Sequence, residues 1–510
     1  MKRSLLPALL VLAACNGGRG GDTLDYYLSS DPRSLDPAFS TDVQTGEMVP
    51  LVFDNLTQFD VDGQLLPGLA SRWETDSSGR TYTFHLRPGI TFHDGSPLTA
   101  RTVRASFLRV LSLGGKGSRT WMLTPMAGAQ QFMQGKAGDV AGLRVTDDST
   151  LVITLEEPLN VFPKYLAMPA AAIVPEQIPP DFPERPVGSG PWKLVAWSHD
   201  DALVFAQHAS YWGGPPLADT LRVRIIPEAM TQAAEYEAGQ LDVVEVPFSE
   251  TARWTEQHAG ELKRRPALRA VYVAINTTRG PLSDVRVRRA LNLAVDVPTM
   301  LRTVMGGRGV RAAGAIPPGL QGYDSTRAPY PHDPAQARAL LAEAGFGKGL
   351  TLTLWRTQRA ELARIAQSLQ QSLGEVGVTV NIVERDPASA RAASTKGEAD
   401  LFLTDWYADY PDPESFNYST FHSRNRGGGG NRAFLSDPAL DSLIILARRT
   451  TDDAEKTRLS REIDQRVFDL APWIFLWFPM DLWAARPGIE GWNVSAIFSG
   501  QRWREVRRIR

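Results

Sequence analysis

Apolar residues along this chain fall into short alternating runs and longer stretches at helical spacing, and the two kinds are interleaved. Leu24, Tyr26 and Leu28 alternate with Asp25 and Tyr27, which predicts a strand. Residues 82–87 alternate in the same way, and Asp94-Gly95 marks a tight turn soon after. Thr99 then reads as the N-cap of a helix that buries Val103, Phe107, Val110 and Leu111. Residues 145–155 predict a hairpin with Asp147-Asp148 at its tip, and residues 158–175 an apolar connection broken by prolines. Residues 221–226 predict a strand, 229–237 a short helix ended by Gly239, and 268–276 another strand. Asp284 heads a helix with Val287, Leu291, Ala294 and Val295 on one face. Asp333-Pro334 heads a further helix that stops at Gly345.

The last third gives the clearest class signal. Residues 350–354 and 378–383 read as strands, and residues 361–376 between them carry Leu362, Ile365, Leu369, Leu373 and Val376 on one helical face. A strand, a crossover helix and a second strand imply a parallel pair, hence an α/β fold. The next strand, residues 400–403, delivers residues 404–417, a connection at a strand's carboxyl end, where α/β sheets hold ligands. Pro411 and Pro413 predict that this connection stays a loop. It carries three large rings (Trp406, Tyr407, Tyr410) and four carboxylates (Asp405, Asp409, Asp412, Glu414). A cleft that takes a cation beneath aromatic groups satisfies that composition, and so does a surface turn with its rings tucked under. The glycine-rich residues 425–432 read as a mobile segment, 438–449 and 454–470 as amphipathic helices, and 473–478 as a buried strand.

Composition narrows the function classes. With 510 residues the chain is long enough for two or three lobes, and a net charge of −2 offers no basic stripe for nucleic acid. The arginine-rich end, residues 502–510, is interleaved with Trp503, Val506 and Ile509 and reads as an edge element or solvated end. His93 beside Asp94 has no third ligand at metal spacing, so a turn histidine is expected. The glycines of Pro186-Val187-Gly188-Ser189-Gly190-Pro191 suit a tight strand crossing; no Gly-Lys-Ser/Thr follows them to make a phosphate loop. At the start, Lys2-Arg3, an apolar run over residues 5–12 and Leu12-Ala13-Ala14-Cys15 have the proportions of a signal peptide, followed by a glycine-rich tether over residues 16–21. Cys15 is the only cysteine and has no disulfide partner.

Several phrases together carry a family resemblance. Trp406-Tyr407-Ala408-Asp409-Tyr410-Pro411-Asp412-Pro413 resembles the ligand loop of extracytoplasmic solute-binding proteins, peptide/nickel family: the receptors of oligopeptide and dipeptide ABC importers. Ser34-Leu35-Asp36-Pro37, Phe53-Asp54-Asn55-Leu56, the residues 83–100 phrase, Pro186 to Pro191, Tyr211-Trp212-Gly213-Gly214 and Gly239-Gln240-Leu241-Asp242 resemble further family phrases in the same order. The resemblance implies a two-lobed periplasmic-binding-protein fold with a hinge, α/β in class, whose larger first lobe carries an extra subdomain. It implies signal peptide 1–14, lipidated Cys15 with tether 15–22, first lobe 23–57 and 183–270 with return segment 480–510, subdomain 58–182 and second lobe 271–479. It further implies that Asp409 takes a ligand's α-ammonium, that Trp406, Tyr407, Asp405 and Ala408 run alongside the ligand, and that Thr41, Asp42 and Val43 face it from the first lobe. Peptide receptors of the best-known kind place basic residues where Ser394 and Leu403 stand here; Arg391 or Lys396 could substitute.

The expected activity is binding of short peptides and delivery to the permease and ATPase subunits of an importer, by a lipid-anchored extracytoplasmic monomer without catalytic residues, metal or cofactor. Relatives that carry oligosaccharides or nickel chelates, and a surface sensor without transport, are the nearest alternatives. A hydrolase built on two of Asp405, Asp409 and Asp412 is the enzymatic rival, with no Ser/His/Asp order, metal signature or nucleotide loop behind it.

Overall fold

A computed structural model describes residues 22–115 and 119–509. Cys15, the signal-peptide residues and nearly all of the tether lie outside the described residues. No helix among the described residues is long and apolar enough to cross a membrane.

Three sheets organise the chain. The first joins Thr23–Leu28 in parallel to Thr220–Ile225, then continues antiparallel through Ala202–Gln207 and Trp192–Ser198. The second is antiparallel, in the order Ala70–Thr75, Thr81–Leu86, Thr150–Thr154, Leu143–Asp147. The third has eight strands, and its spine is Trp473–Ala485. The first half of that strand pairs with Arg269–Ile275 and Gly309–Arg311, the second half with Leu262–Pro266 and Val243–Glu245. One 13-residue strand therefore stitches the late chain to segments on both sides of residue 268.

The predicted α/β unit is present. Leu350–Thr357 and Val378–Arg385 run parallel, with the helix Ala360–Gly374 as crossover. Leu362, Ile365, Leu369 and Leu373 of that helix are all buried in one core. Each such side chain contributes about 1.5–3 kcal/mol by leaving water. Arg269–Ile275 shows the two-faced burial of a central strand. Val271, Val273 and Ile275 enter that core, while Ala270, Tyr272 and Ala274 enter the core on the opposite face.

Caps and glycines sit where local chemistry predicts. Asp284 accepts from the Arg286 N–H at 2.8 Å and Asp333 from the Gln336 N–H at 2.9 Å, each opening its helix. At Gly188 a Cβ would lie 2.0 Å from the Val52 carbonyl oxygen, so the crossing admits only glycine. His93 is held between Gly188 and Gly190, its Nε2 donating to the Gly190 oxygen at 3.0 Å. Burial there pushes it down to about 4.

Two expectations need correction. The strand that begins at Leu401 runs on to Tyr407, because residues 404–407 continue the antiparallel ladder with residues 269–272. Helix follows at Glu414–Phe421, directly after Pro413. Proline lacks a donor and clashes with the turn before it, so it bars a helix behind itself, not ahead. The glycine-rich residues 425–432 form a hydrogen-bonded turn, with Gly427 N–H donating to Asn431 O at 3.0 Å and Asn431 N–H to Asn425 O at 3.0 Å. Gly430 adopts a φ of +119° and packs on the Trp406 ring, 2.9 Å from where a Cβ would stand. The apolar connection near residue 160 also contains a helical turn, Phe162–Tyr165.

Candidate ligand-binding cleft

The Leu401–Tyr407 strand lies inside the large sheet, and its carboxyl end opens between that sheet and the rest of the molecule. The connection to the next helix is tight. Ala408 N–H donates to Leu268 O at 2.8 Å, and Asp409 N–H to Ser415 Oγ at 3.0 Å. Trp406 Nε1 donates to Ser415 O at 2.9 Å. Successive residues of a strand point to opposite faces, and Trp406 and Tyr407 at its end open onto two different cavities. Trp406 and Asp409 line one of about 650 Å³, and Tyr407 and Ala408 line another of about 420 Å³.

The larger cavity lies between the strand end and the subdomain around the second sheet. Trp121, Tyr165 and Tyr410 form an aromatic wall, with Tyr165 edge-on to both others at 5.0 Å between ring centroids. Arg424, Arg448 and Arg449 also line it. Arg448 pairs with Glu414 at 2.7 Å and Arg449 with Glu157. Arg424 has no carboxylate within ion-pair reach among the described residues. Arg391 and Lys396 are exposed and line neither cavity, Ser394 is buried, and Leu403 belongs to the core.

The four acids of the connection stand in different settings. Burial works to raise Asp405, but Arg269 at 2.5 Å and Arg359 at 3.1 Å outweigh it and hold the carboxyl below its ordinary range. Asp412 is fully buried; Lys164 at 2.7 Å and Lys456 at 2.6 Å overcome that burial and keep it low as well. Glu414 meets Arg448 and the hydroxyls of Tyr165 and Tyr410. Asp409 pairs with Arg119 Nη1 at 2.5 Å, and its side chain is 27% exposed. Asp405, Asp412 and Glu414 each have a cation on the large-sheet side of the cleft: Arg269 and Arg359, Lys456, and Arg448. The cation at Asp409 comes from across it.

The smaller cavity joins Tyr26, Val43 and Glu47 to Arg269, Tyr407 and Ala408, with Trp483 and Trp503 closing it. Burial pushes three acids upward there: Glu47 to about 8, Glu245 to about 7 and Asp481 to about 6. Arg308 and Arg269 oppose the rise at Glu245 and Asp481, Tyr26 opposes it at Glu47, and Asp481 adds to the rise at Glu245 as Glu245 does at Glu47. The Glu245 side chain is 44% exposed, so solvent screens it more than it does the buried acids of the cleft.

The expected ligand residues therefore divide. Trp406 and Asp409 share the larger cavity; Tyr407, Ala408 and Val43 share the smaller. Thr41 presents its carbonyl oxygen to Arg119 Nη2 at 3.4 Å. Asp42 caps the Val43–Val52 helix, accepting from Thr45 N–H at 2.9 Å. Asp405 lines neither cavity and holds Arg269 beneath the Tyr407 ring, 4.8 Å from its centroid. Arg119, Trp121, Glu47 and Asp481 were not expected from the sequence. A charged residue inside the apolar run 473–485 was the one available sign of Asp481.

A two-bodied α/β receptor with aromatic and charged cavities at the strand ends is the architecture of a solute-binding protein. The profile of bacterial extracellular solute-binding proteins, family 5 (Middle), matches residues 64–428, and the chain belongs to that family. A glutathione-binding protein of Pectobacterium atrosepticum is 31% identical over 457 residues, 87% of this chain and 86% of that one. A dipeptide-binding protein of Escherichia coli K12 is 28% identical over 501 residues, 93% and 92% of the two chains. Among solved structures, HbpA2 from Haemophilus parasuis matches with a TM-score of 0.83 and 24% identity, over 96% of this chain and all of that one. AgaA from Agrobacterium tumefaciens R10, solved in complex with agropinic acid, matches with a TM-score of 0.78 and 25% identity, over 96% and 99%. The family consists of extracytoplasmic solute-binding receptors, and the two-lobed fold expected from the sequence is the fold these structures share.

Proposed function

We propose that the chain binds short peptides bearing a free α-ammonium group, with Asp409 as the ammonium's acceptor, and delivers them to an ABC importer. One observation carries the reading. Of the four acids at the strand end, Asp409 alone has its cation only from across the cleft, while Asp412, also met by Lys164, keeps Lys456 on its own side; separation of the two sides therefore leaves Asp409 available to a ligand. A carboxylate–ammonium pair in a cleft largely closed to water is far stronger than on an open surface. The aromatic wall and the 650 Å³ volume suit a small ligand, and Arg424 offers the opposite charge to an acid group on it. Relatives named for glutathione and dipeptides point to the same chemistry.

Calorimetry with a mixed tripeptide library, free and N-acetylated, tests this. The free library binds and the acetylated one does not; equal binding of both would reject the ammonium site. A second reading, a non-peptide organic acid, rests on the likeness to AgaA, and agropinic acid belongs in the same titration series.

The anchor is a further part of the proposal. Leu12-Ala13-Ala14-Cys15 supports lipidation at Cys15 and attachment of a monomer to the outer face of a membrane. Incorporation of labelled palmitate, abolished by Cys15→Ala, tests it.

A further inference from the structure

The cation at Asp409 is itself informative. Arg119 lies between the helices Ala100–Ser112 and Ala129–Met133, on the subdomain side of the cleft. It reaches 290 positions along the chain to Asp409, Nη1 to Oδ1 at 2.5 Å. Its Nη2 points to the Thr41 carbonyl oxygen at 3.4 Å. One guanidinium thus touches acceptors from two separate parts of the chain. Asp409 lines the larger cavity, and Thr41 stands two residues before Val43, which lines the smaller. An ammonium group placed on Asp409 Oδ1 would compete with Arg119 for that oxygen.

We propose that Arg119 is a built-in competitor for the ligand's ammonium group, so that binding exchanges one cation for another at Asp409. The inference rests on the reading of Asp409 as the ammonium acceptor. Three features favour exchange over a fixed structural bridge. Asp409 is 27% exposed and Arg119 24% exposed, so solvent can receive the displaced guanidinium. Asp412, by contrast, is fully buried between two lysines, one on its own side, so it keeps a cation whether or not the far side stays in place. Finally, exchange keeps the charge at Asp409 balanced throughout, so no bare carboxylate has to be desolvated.

Exchange has two consequences. A neutral ligand end cannot displace a cation from a carboxylate, so Arg119 acts as a filter against blocked termini. It also holds the apparent affinity below the intrinsic one, by the fraction of molecules in which Asp409 is not taken.

The test uses the mature chain, calorimetry, and mixed tripeptides with free or acetylated N-termini as probes. If Arg119 occupies Asp409 about nine-tenths of the time, Arg119→Gln binds the free library about tenfold tighter. Arg119→Lys retains a competing cation and stays near the wild-type affinity. The acetylated library stays far weaker than the free one in wild type and in both variants, and equal binding of the two libraries by Arg119→Gln would overturn the exchange. An Arg119→Gln variant that folds normally by circular dichroism, yet binds the free library no better or worse than wild type, overturns the exchange and leaves the peptide reading standing. Absence of free-library binding in wild type and in both variants overturns the peptide reading, and the exchange with it.

Discussion

Each acid of the 405–414 connection meets a cation, whereas in the smaller cavity burial outweighs the charges around Glu47, Glu245 and Asp481. Asp405 and Asp412 stay low because arginine and lysine outweigh burial. Glu47, Glu245 and Asp481 rise because burial wins. The same residue type is thus a bolt, a handle or a proton store according to which partners the fold brings within about 4 Å. Asp412 is the bolt, since Lys456 holds it on its own side while Lys164 meets it from the other. Asp409 is the handle, with a single partner reached across the cleft. The smaller cavity is where protons are held.

Breaking the bolt gives the largest expected effect. Asp412→Ala leaves two ammonium groups together in a buried site and costs about 3–5 kcal/mol of stability. Urea unfolding measures it; a loss below about 1 kcal/mol would erase the contrast between the two sides.

The smaller cavity gives the next effect, and its sign is opposite to that of an ordinary salt bridge. The folded pKa of Glu47, about 8, lies above that of an unfolded glutamate. Its favourable contribution is therefore whole below about pH 4.5 and is lost as pH rises through about 8. Glu245 and Asp481, beside Arg269 and Arg308, behave alike at lower pH. Glu47→Gln should melt higher than wild type at pH 9, by about 1–2 kcal/mol, and equally at pH 4. Unchanged melting at pH 9 would show that this carboxyl is well solvated.

His93 sharpens the comparison least, because it lies away from both cavities. Its folded value, about 4, is below that of unfolded histidine. Its contribution is present above about pH 6.5 and lost as pH falls toward 4. His93→Gln should flatten the acid limb of the melting curve by about 1 kcal/mol, provided the variant retains the bond to Gly190. The limb keeping its full slope would assign acid sensitivity elsewhere.

Much of the fold was legible because it is written locally. The caps at Thr99, Asp284 and Asp333, the stripe from Leu362 to Leu373 and the parallel crossover all follow from neighbours within a few residues. The strand end was misjudged because Thr404 and Asp405 interrupt the apolar run before Trp406 and Tyr407, although threonine and aromatic side chains suit a sheet. The site was legible only on one side. Trp406 and Asp409 stand out as a cluster, but their partners do not: Arg119 lies 290 positions away and Lys164 is 248 from Asp412. No periodicity announces an ion pair at that separation. Glu47 was missed because one acid on a helix is ordinarily solvated, and only packing against Tyr26 and Trp503 encloses it.

Asp409→Asn and Asp412→Asn, compared side by side for melting temperature and for calorimetric binding of free tripeptides, test the central claim most directly. The account predicts that Asp409→Asn melts close to wild type and binds about 10–100-fold more weakly, while Asp412→Asn melts much lower and, where still folded, binds with nearly wild-type affinity. Full binding by Asp409→Asn would contradict it, because the ligand's cation would then be held elsewhere in the cleft.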